Sequence, residues 1–170
     1  MSRVLRACVG LLIVFTLAPG TASAAGFIAT LSIPGLCATP VDVPAFALET
    51  SNSGSIGSPG GGGGAGKATI KPLVLTKAVD ECTPLLFKAT FQGQHFANAV
   101  LHVGTSKSPI LFTIQLTDVI ITDVKHEFSV EGKGVADDLL LENITLDSAS
   151  LSFTSGGVTV QCSQATQICQ

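Results

Sequence analysis

The chain has no tryptophan and no tyrosine, one methionine, three histidines and only 12% charged residues. Without indole or phenol rings, its core must rest on aliphatic side chains and phenylalanine. Nine basic residues against twelve acidic ones leave no basic face, so nucleic acid is excluded as a partner. Charge this sparse, with a mean hydropathy of +0.53, also excludes the disordered class, which needs high net charge and little apolar surface. Catalytic motifs are missing as well. His126-Glu127 is not the start of a zincin helix, because Val130 stands where the second histidine belongs. No G-x-S-x-G elbow occurs, and no lysine follows a serine by three positions. No C-x-x-C pair occurs, which argues against a zinc cluster. The acids Asp118, Asp123, Asp137 and Asp138 lack the EF-hand spacing and read as solvated loop groups. The chain is read as a non-enzyme, with no catalytic residue, no cofactor and no metal.

Long apolar runs are missing too. The longest candidate, Val9 to Ala18, is about half of the ~20 residues a membrane-spanning helix requires, so integral membrane association is not expected. Its length and setting fit a secretory signal instead. Arg3 and Arg6 precede it, and Ala22-Ser23-Ala24 offers the small-x-small cleavage pattern. Residues 1–24 are therefore expected to be removed before Ala25. Both arginines leave with them, so seven basic residues face twelve acidic ones in the mature chain, a formal charge of −5. The remaining length suits one domain.

Four cysteines survive cleavage: Cys37, Cys82, Cys162 and Cys169. An even number in an exported chain favours disulfides. Three connectivities are open, and the sequence does not choose among them. The preferred one joins Cys37 to Cys82, both at ends of expected strands, and Cys162 to Cys169, closing a C-terminal loop.

Most of the chain alternates with the two-residue period of half-buried strands. Phe27, Ala29, Leu31 and Ile33 share one face of the first, which Pro34-Gly35 ends. Val41 to Glu49 reads as a second strand. Ile70, Leu73, Val74 and Leu75 belong to a third. One helix is expected near residues 83–92, with Thr83 as cap, Pro84 in its first turn and Gly93 after its end. Its apolar face is read as Leu85, Leu86 and Ala89. At about two and a half turns it cannot persist alone, so it must lie on the sheet. Phe96 to Val103 and Ile110 to Leu116 are further strands. Around Asp118 the period slips by one residue, the mark of a β-bulge that bends a sheet. Leu140 to Leu146 and Leu151 to Phe153 follow, before Gly156-Gly157. The fold class is mainly β: a small closed or nearly closed β-barrel of two packed sheets, with one short helix on its side.

Between the second and third strands, Ser51 to Gly66 is almost all glycine and serine. Such a tract buries nothing and reads as a solvated loop. Gly61, Gly66 and Lys67 match G-x-x-x-x-G-K, but Ala68 stands where a P-loop needs Ser or Thr for magnesium. A strand with Pro72, rather than a helix, follows. The nucleotide reading fails.

The tract resembles instead the glycine-rich loop of the haemolysin-coregulated protein (Hcp) family, the tube subunits of type VI secretion systems. Gly60 to Lys67 is similar to that loop, and Thr76-Lys77, Asp80 and Thr83-Pro84 follow as in the family. Gly93 with His95, then Ala99, Leu101 and Val103, come next. Leu116-Thr117-Asp118-Val119 with Ile121 and Val124, and Glu142-Asn143-Ile144-Thr145-Leu146, complete the likeness, which spans Phe27 to Phe153.

The resemblance implies an Hcp-like barrel over residues 25–157, with residues 158–170 as a C-terminal extension holding a cysteine pair. It implies a homo-hexameric ring, stacking of rings into a hollow tube, and effector proteins and a spike protein as partners. The loop that would order against the next ring comprises Ser53, Gly54, Gly60, Gly61, Gly62, Gly63, Gly64, Gly66 and Lys67. The signal-like N-terminus sets a second reading beside it: an exported, disulfide-bonded, monomeric barrel that binds a protein or small ligand. On either reading the protein ends up in the periplasm or outside a bacterium.

Overall fold

A computed structural model describes residues 26–54, 67–106, 108, 110–127 and 140–170. The expected signal segment, and six of the loop glycines (Gly60, Gly61, Gly62, Gly63, Gly64 and Gly66), lie outside the described residues.

In chain order the elements are β1 (Phe27–Ser32), β2 (Val41–Asp42), β3 (Ala45–Ala47), β4 (Thr50–Asn52), β5 (Ala68–Ile70), β6 (Leu73–Ala78), α1 (Thr83–Gln92), β7 (His95–Thr105), β8 (Phe112–Glu127), β9 (Leu141–Ser155) and β10 (Val158–Ser163). Eight strands form one antiparallel sheet in the order β2-β1-β7-β8-β9-β6-β3, with β10 also on β9. β9 carries β8 along one edge; its first half takes β6 and its second half β10 on the other. The sheet curls into a half-barrel, so the two packed layers are two halves of one sheet. Inside lie Leu31, Leu75, Leu101, Ile114, Val119 and Ile144, all nearly or fully buried.

The expected second strand is broken in two. Val41–Asp42 pairs with β1 at Leu31 and Thr30, whereas Ala45–Ala47 pairs with β6 at Thr76, Leu75 and Val74. Val43 and Pro44 cross between the two ends of the sheet, and Val43 N–H donates to the Ala29 carbonyl at 2.9 Å. Pro44 has no N–H to give to a ladder, which is why the break falls there. One chain segment thus spans both edges and draws the curl together. Two expected strands, conversely, are one: Leu140 to Leu146 and Leu151 to Phe153 are both parts of β9 or its approach.

The slip near Asp118 belongs to three strands. Buried positions jump from Phe96 to Ala99 in β7, from Leu116 to Val119 in β8, and from Leu146 to Leu151 in β9. The register steps over Ala97, Asp118 and Ala149, which lie level with one another across the three strands. Because all three take the irregularity together, the sheet turns over its inward face without losing pairing. Asp118 has φ of 53°, a conformation that Asp tolerates better than bulkier residues do. A separate bulge at Thr122 shifts the β8–β9 register between Ile121 and Asp123, adding further bend.

Helix α1 packs on β8. Cys82 occupies its cap position, makes no side-chain cap bond, and Pro84 falls in the first turn. Thr83 is therefore inside the helix rather than its cap. The buried stripe is Thr83, Leu86 and Ala89, while Leu85 is exposed, contrary to the face expected from spacing. The phase is set by Thr83, whose hydroxyl is tied into the sheet. With residue 83 turned inward, 86 and 89 follow at three-residue steps, and 85 points away. At the other end Gly93 has φ of 59°, and the N–H groups of Gly93 and Gln94 close onto Thr90 and Ala89 at 3.2 and 2.9 Å, a Schellman stop. Gly93→Ala is expected to cost about 1 kcal/mol from the left-handed backbone alone, read as a lower thermal midpoint with an unchanged far-ultraviolet spectrum.

Candidate assembly surface

The glycine tract leaves and rejoins the fold through β4 and β5, which pair only with each other, at Thr50–Ile70, Ser51–Thr69 and Asn52–Ala68. This hairpin stem is outside the main sheet, and its residues are exposed apart from half-buried Ile70. Ser53 and Lys67 close it. Ser53 N–H donates to the Lys67 carbonyl at 3.2 Å, and Lys67 N–H donates to Ser53 Oγ at 2.9 Å. Gly54 N–H donates to Asn52 Oδ1 at 2.7 Å. At the stem's foot Lys71 and Glu49 form an exposed ion pair at 2.6 Å, of little energetic weight. Thus Ser53, Gly54 and Lys67, three of the expected loop residues, stand together at the top of the stem.

What holds the fold beneath is a buried ionic cluster. Lys77 on β6 and Glu142 on β9 are directly opposite in the register, and their side chains are 1% and 0% exposed. Lys77 Nζ donates to Glu142 Oε1 at 2.7 Å, to Asp80 Oδ1 at 2.8 Å and to the Ala78 carbonyl at 2.6 Å. Thr83 Oγ1 donates to the same Glu142 oxygen at 2.7 Å and accepts from Asp80 N–H at 3.0 Å. Asp80 Oδ1 also accepts from Cys82 N–H at 2.8 Å. On the far side His126 is opposite Glu142 on β8, its Nε2 2.9 Å from Glu142 Oε2 but off the line of a directed hydrogen bond. Lys77, Glu142 and His126 therefore form a row across β6, β9 and β8, and Asp80 and Thr83 fasten the start of α1 to it. Buried charge persists only when paired and hydrogen-bonded. The arrangement has no open cleft for a substrate, so its work is to fix the helix on the barrel.

The sequence-level motif residues meet here: Lys77, Asp80, Thr83 and Glu142 are one network. Their burial was also readable from phase. Lys77 continues the inward positions Leu73 and Leu75, and Glu142 precedes the inward Ile144 and Leu146, so each charge occupies a core position. The neighbouring Thr76 and Asn143 meet on the opposite face, Thr76 Oγ1 donating to Asn143 Oδ1 at 2.8 Å.

The sulfurs of Cys37 and Cys82 are at bonding distance, with Cα atoms 5.5 Å apart, and so are those of Cys162 and Cys169, with Cα atoms 4.0 Å apart. The first pair ties the loop after β1 to the start of α1. The second closes a small terminal hairpin, in which Gln161 and Gln170 exchange both backbone bonds at 2.9 Å.

His95 Nδ1 lies 3.0 Å from Asp118 Oδ1, and His102 Nδ1 lies 3.1 Å from Thr113 Oγ1. Among the described residues no three His, Cys, Asp or Glu side chains come together as a metal site. No helix among them is long and apolar enough to cross a membrane.

Comparison with solved structures places this fold. Hcp1 from Salmonella typhimurium aligns with a TM-score of 0.69 at 16% identity, covering 85% of this chain and 99% of that one. A structure described as a type six secretion system protein gives 0.74 at 20% identity, with the same coverage. The secreted protein Hcp3 from Pseudomonas aeruginosa gives 0.57 at 18% identity, covering 81% of this chain and 97% of that one. Identities this low establish likeness of fold. No curated protein matches the chain. A family model described as "Type VI secretion system effector, Hcp" matches residues 38–159, which takes in the hairpin, the ionic cluster and every strand from β2 to β9. The chain belongs to the Hcp family of type VI secretion system proteins.

Proposed function

We propose that this chain is a structural subunit, six copies of which close into a ring, with rings stacking into a tube that carries effector proteins beneath a spike. The observation that carries this reading is the family match over residues 38–159 on a curled β half-barrel. A closing heterologous interface makes a ring, and a second, axial one makes an open stack. The β4–β5 stem and the glycine tract supply the axial contact. Ordering so flexible a segment costs conformational entropy, so stacking is weak and reversible whereas the ring is firm. Deleting residues 55–66, between the ends of the closed stem, leaves a six-subunit species and removes larger ones. Sedimentation velocity at rising concentration reads this directly; loss of the six-subunit species itself would count against the assignment of the loop to the axial contact.

We further propose that residues 1–24 are a signal peptide and that both cysteine pairs are oxidised after export. The Cα separations of 5.5 and 4.0 Å support this, and disulfides persist in the oxidising compartments outside the cytoplasm. They are also the observation favouring the second reading, an exported monomeric binding module. Intact mass of the protein from the periplasm or medium should start at Ala25 and lack four hydrogens relative to the reduced chain. A full-length mass with free thiols contradicts export.

A further inference from the structure

Where the curled sheet closes, it does not close fully. β2 leaves β1 after pairing with Leu31 and Thr30, and the chain swings through Val43 and Pro44 to join β6 as β3. The outer half of β1 and the side of β3 away from β6 therefore diverge from a common vertex, and neither has a strand partner there among the described residues. Between them lies a cavity of about 390 Å³. Its floor is Ala29, Val43 and Val103, all buried, and its rim is Phe27, Phe46 and Phe112. Pro44 and Ala45 complete the wall, so no lining side chain is polar. Phe46 meets Phe112 edge-on at 6.1 Å, and Phe112 stacks on Phe153 at 5.2 Å, which fixes the rim. Phe27, at the free end of β1, is 74% exposed.

Two features of the seam specify its occupant. The cavity alone suits any apolar group of modest size. Its flank, however, is a strand edge. Since the Ala29 carbonyl points into the seam to accept the Val43 N–H, the two-residue period turns the N–H and C=O of Phe27 the same way. An acyl chain would fill the cavity and leave these groups to water. An extended peptide satisfies both, adding main-chain bonds along the edge while every second side chain enters the cavity.

We propose that the seam between β1 and β3 is a docking groove for an extended peptide segment with aliphatic or aromatic side chains at alternate positions, added as a strand to the outer half of β1. The site is independent of ring assembly and of the glycine tract. It makes the subunit a receptor for an exposed strand of another protein.

The absence of tryptophan and tyrosine makes the test simple, because a tryptophan-bearing peptide is then the sole indole in solution. The probe is the acetylated, amidated peptide Thr-Val-Thr-Trp-Thr-Val-Thr, titrated against the full mature protein. Saturable rise in tryptophan anisotropy is expected, with shifts of the Phe27 to Ala29 amide signals. N-methylation of alternate peptide amides should weaken binding at least tenfold, since it removes the edge bonds and keeps the side chains. Ala45→Arg, which projects a charge into the cavity from an exposed position, should do the same; Phe27→Glu, at the exposed strand end, serves if that variant fails to fold. The proposal is overturned by no binding, by equal binding of the N-methylated peptide, or by binding that leaves Phe27 to Ala29 undisturbed. It is equally overturned if laurate binds where the peptide does not, or if the only occupant is a second copy, seen as self-association lost in Phe27→Glu without any peptide binding.

Discussion

Glu142→Leu is expected to lower the stability of the folded subunit by about 3–5 kcal/mol, the cost of leaving a buried partner charge uncompensated. The Lys77 ammonium, 1% exposed, cannot turn to water. Its remaining acceptors are the Ala78 carbonyl and Asp80, and Asp80 must also hold the Cys82 N–H. Thr83 loses the acceptor of its hydroxyl as well, so the start of α1 comes loose from the sheet. The second half of the prediction separates charge from shape. The double replacement Lys77→Met with Glu142→Leu should recover most of the loss, because a well-packed apolar pair of similar volume is often as stable as the ion pair it replaces. Urea unfolding of the two single variants and the double one measures the coupling. Strict additivity of the single losses would show that the two side chains do not act as a pair.

Removal of the Cys37–Cys82 link by Cys37→Ser with Cys82→Ser is expected to cost about 4 kcal/mol on the chain-entropy model, for a sequence separation of 45. The same model gives about 2 kcal/mol for Cys162–Cys169, whose separation is 7. Position reinforces the difference. Cys82 is the residue immediately before α1, beside Asp80 and Thr83, so its link and the ionic cluster hold the same helix start. The terminal pair closes a hairpin that is already held by the Gln161–Gln170 bonds. Denaturant midpoints with and without reductant, compared among the two paired-serine variants, rank the two links. Equal losses, or a larger loss from the terminal pair, would contradict this placement of the stabilising energy.

Much of the architecture was legible in the chain because it rests on local rules. The two-residue period marked the strands, Gly93 marked the helix end, and the slip at Asp118 marked a bend. The glycine tract was legible as a loop because nothing in it can be buried. What escaped the sequence depended on partners far along the chain. Period two alone does not reveal that Val41 to Ala47 changes partner midway; Pro44 was the available sign. Asp118 was visible as an irregularity in one strand, yet its matching with Ala97 and Ala149 exists only once β7, β8 and β9 are paired. The helix face was misread at Leu85 because the phase is imposed by Thr83 bonding to Glu142, 59 residues away. For the candidate site the loss was similar. Ser53, Gly54 and Lys67 could be named in advance, whereas the row Lys77, Glu142 and His126 emerges from register. A charge on the buried phase of each of two strands was the readable hint.

Two apolar regions of the surface also follow from this register. Phe87 and Phe91 on the outer face of α1 are 58% and 85% exposed, one turn apart and aligned by the four-residue helical step. They are on the side of α1 away from β8, well separated from the seam in the topology, so the rim of the seam and the outer helix can be altered independently in assembly experiments.

Function through assembly requires that the oxidised mature chain not remain single. Mass measurement of individual particles, with negative-stain imaging of the same sample, reads this at once. A dominant species of six subunits with ring-shaped images is the expected result; a uniform population of single subunits at the same concentration, with both cysteine pairs oxidised, would contradict it.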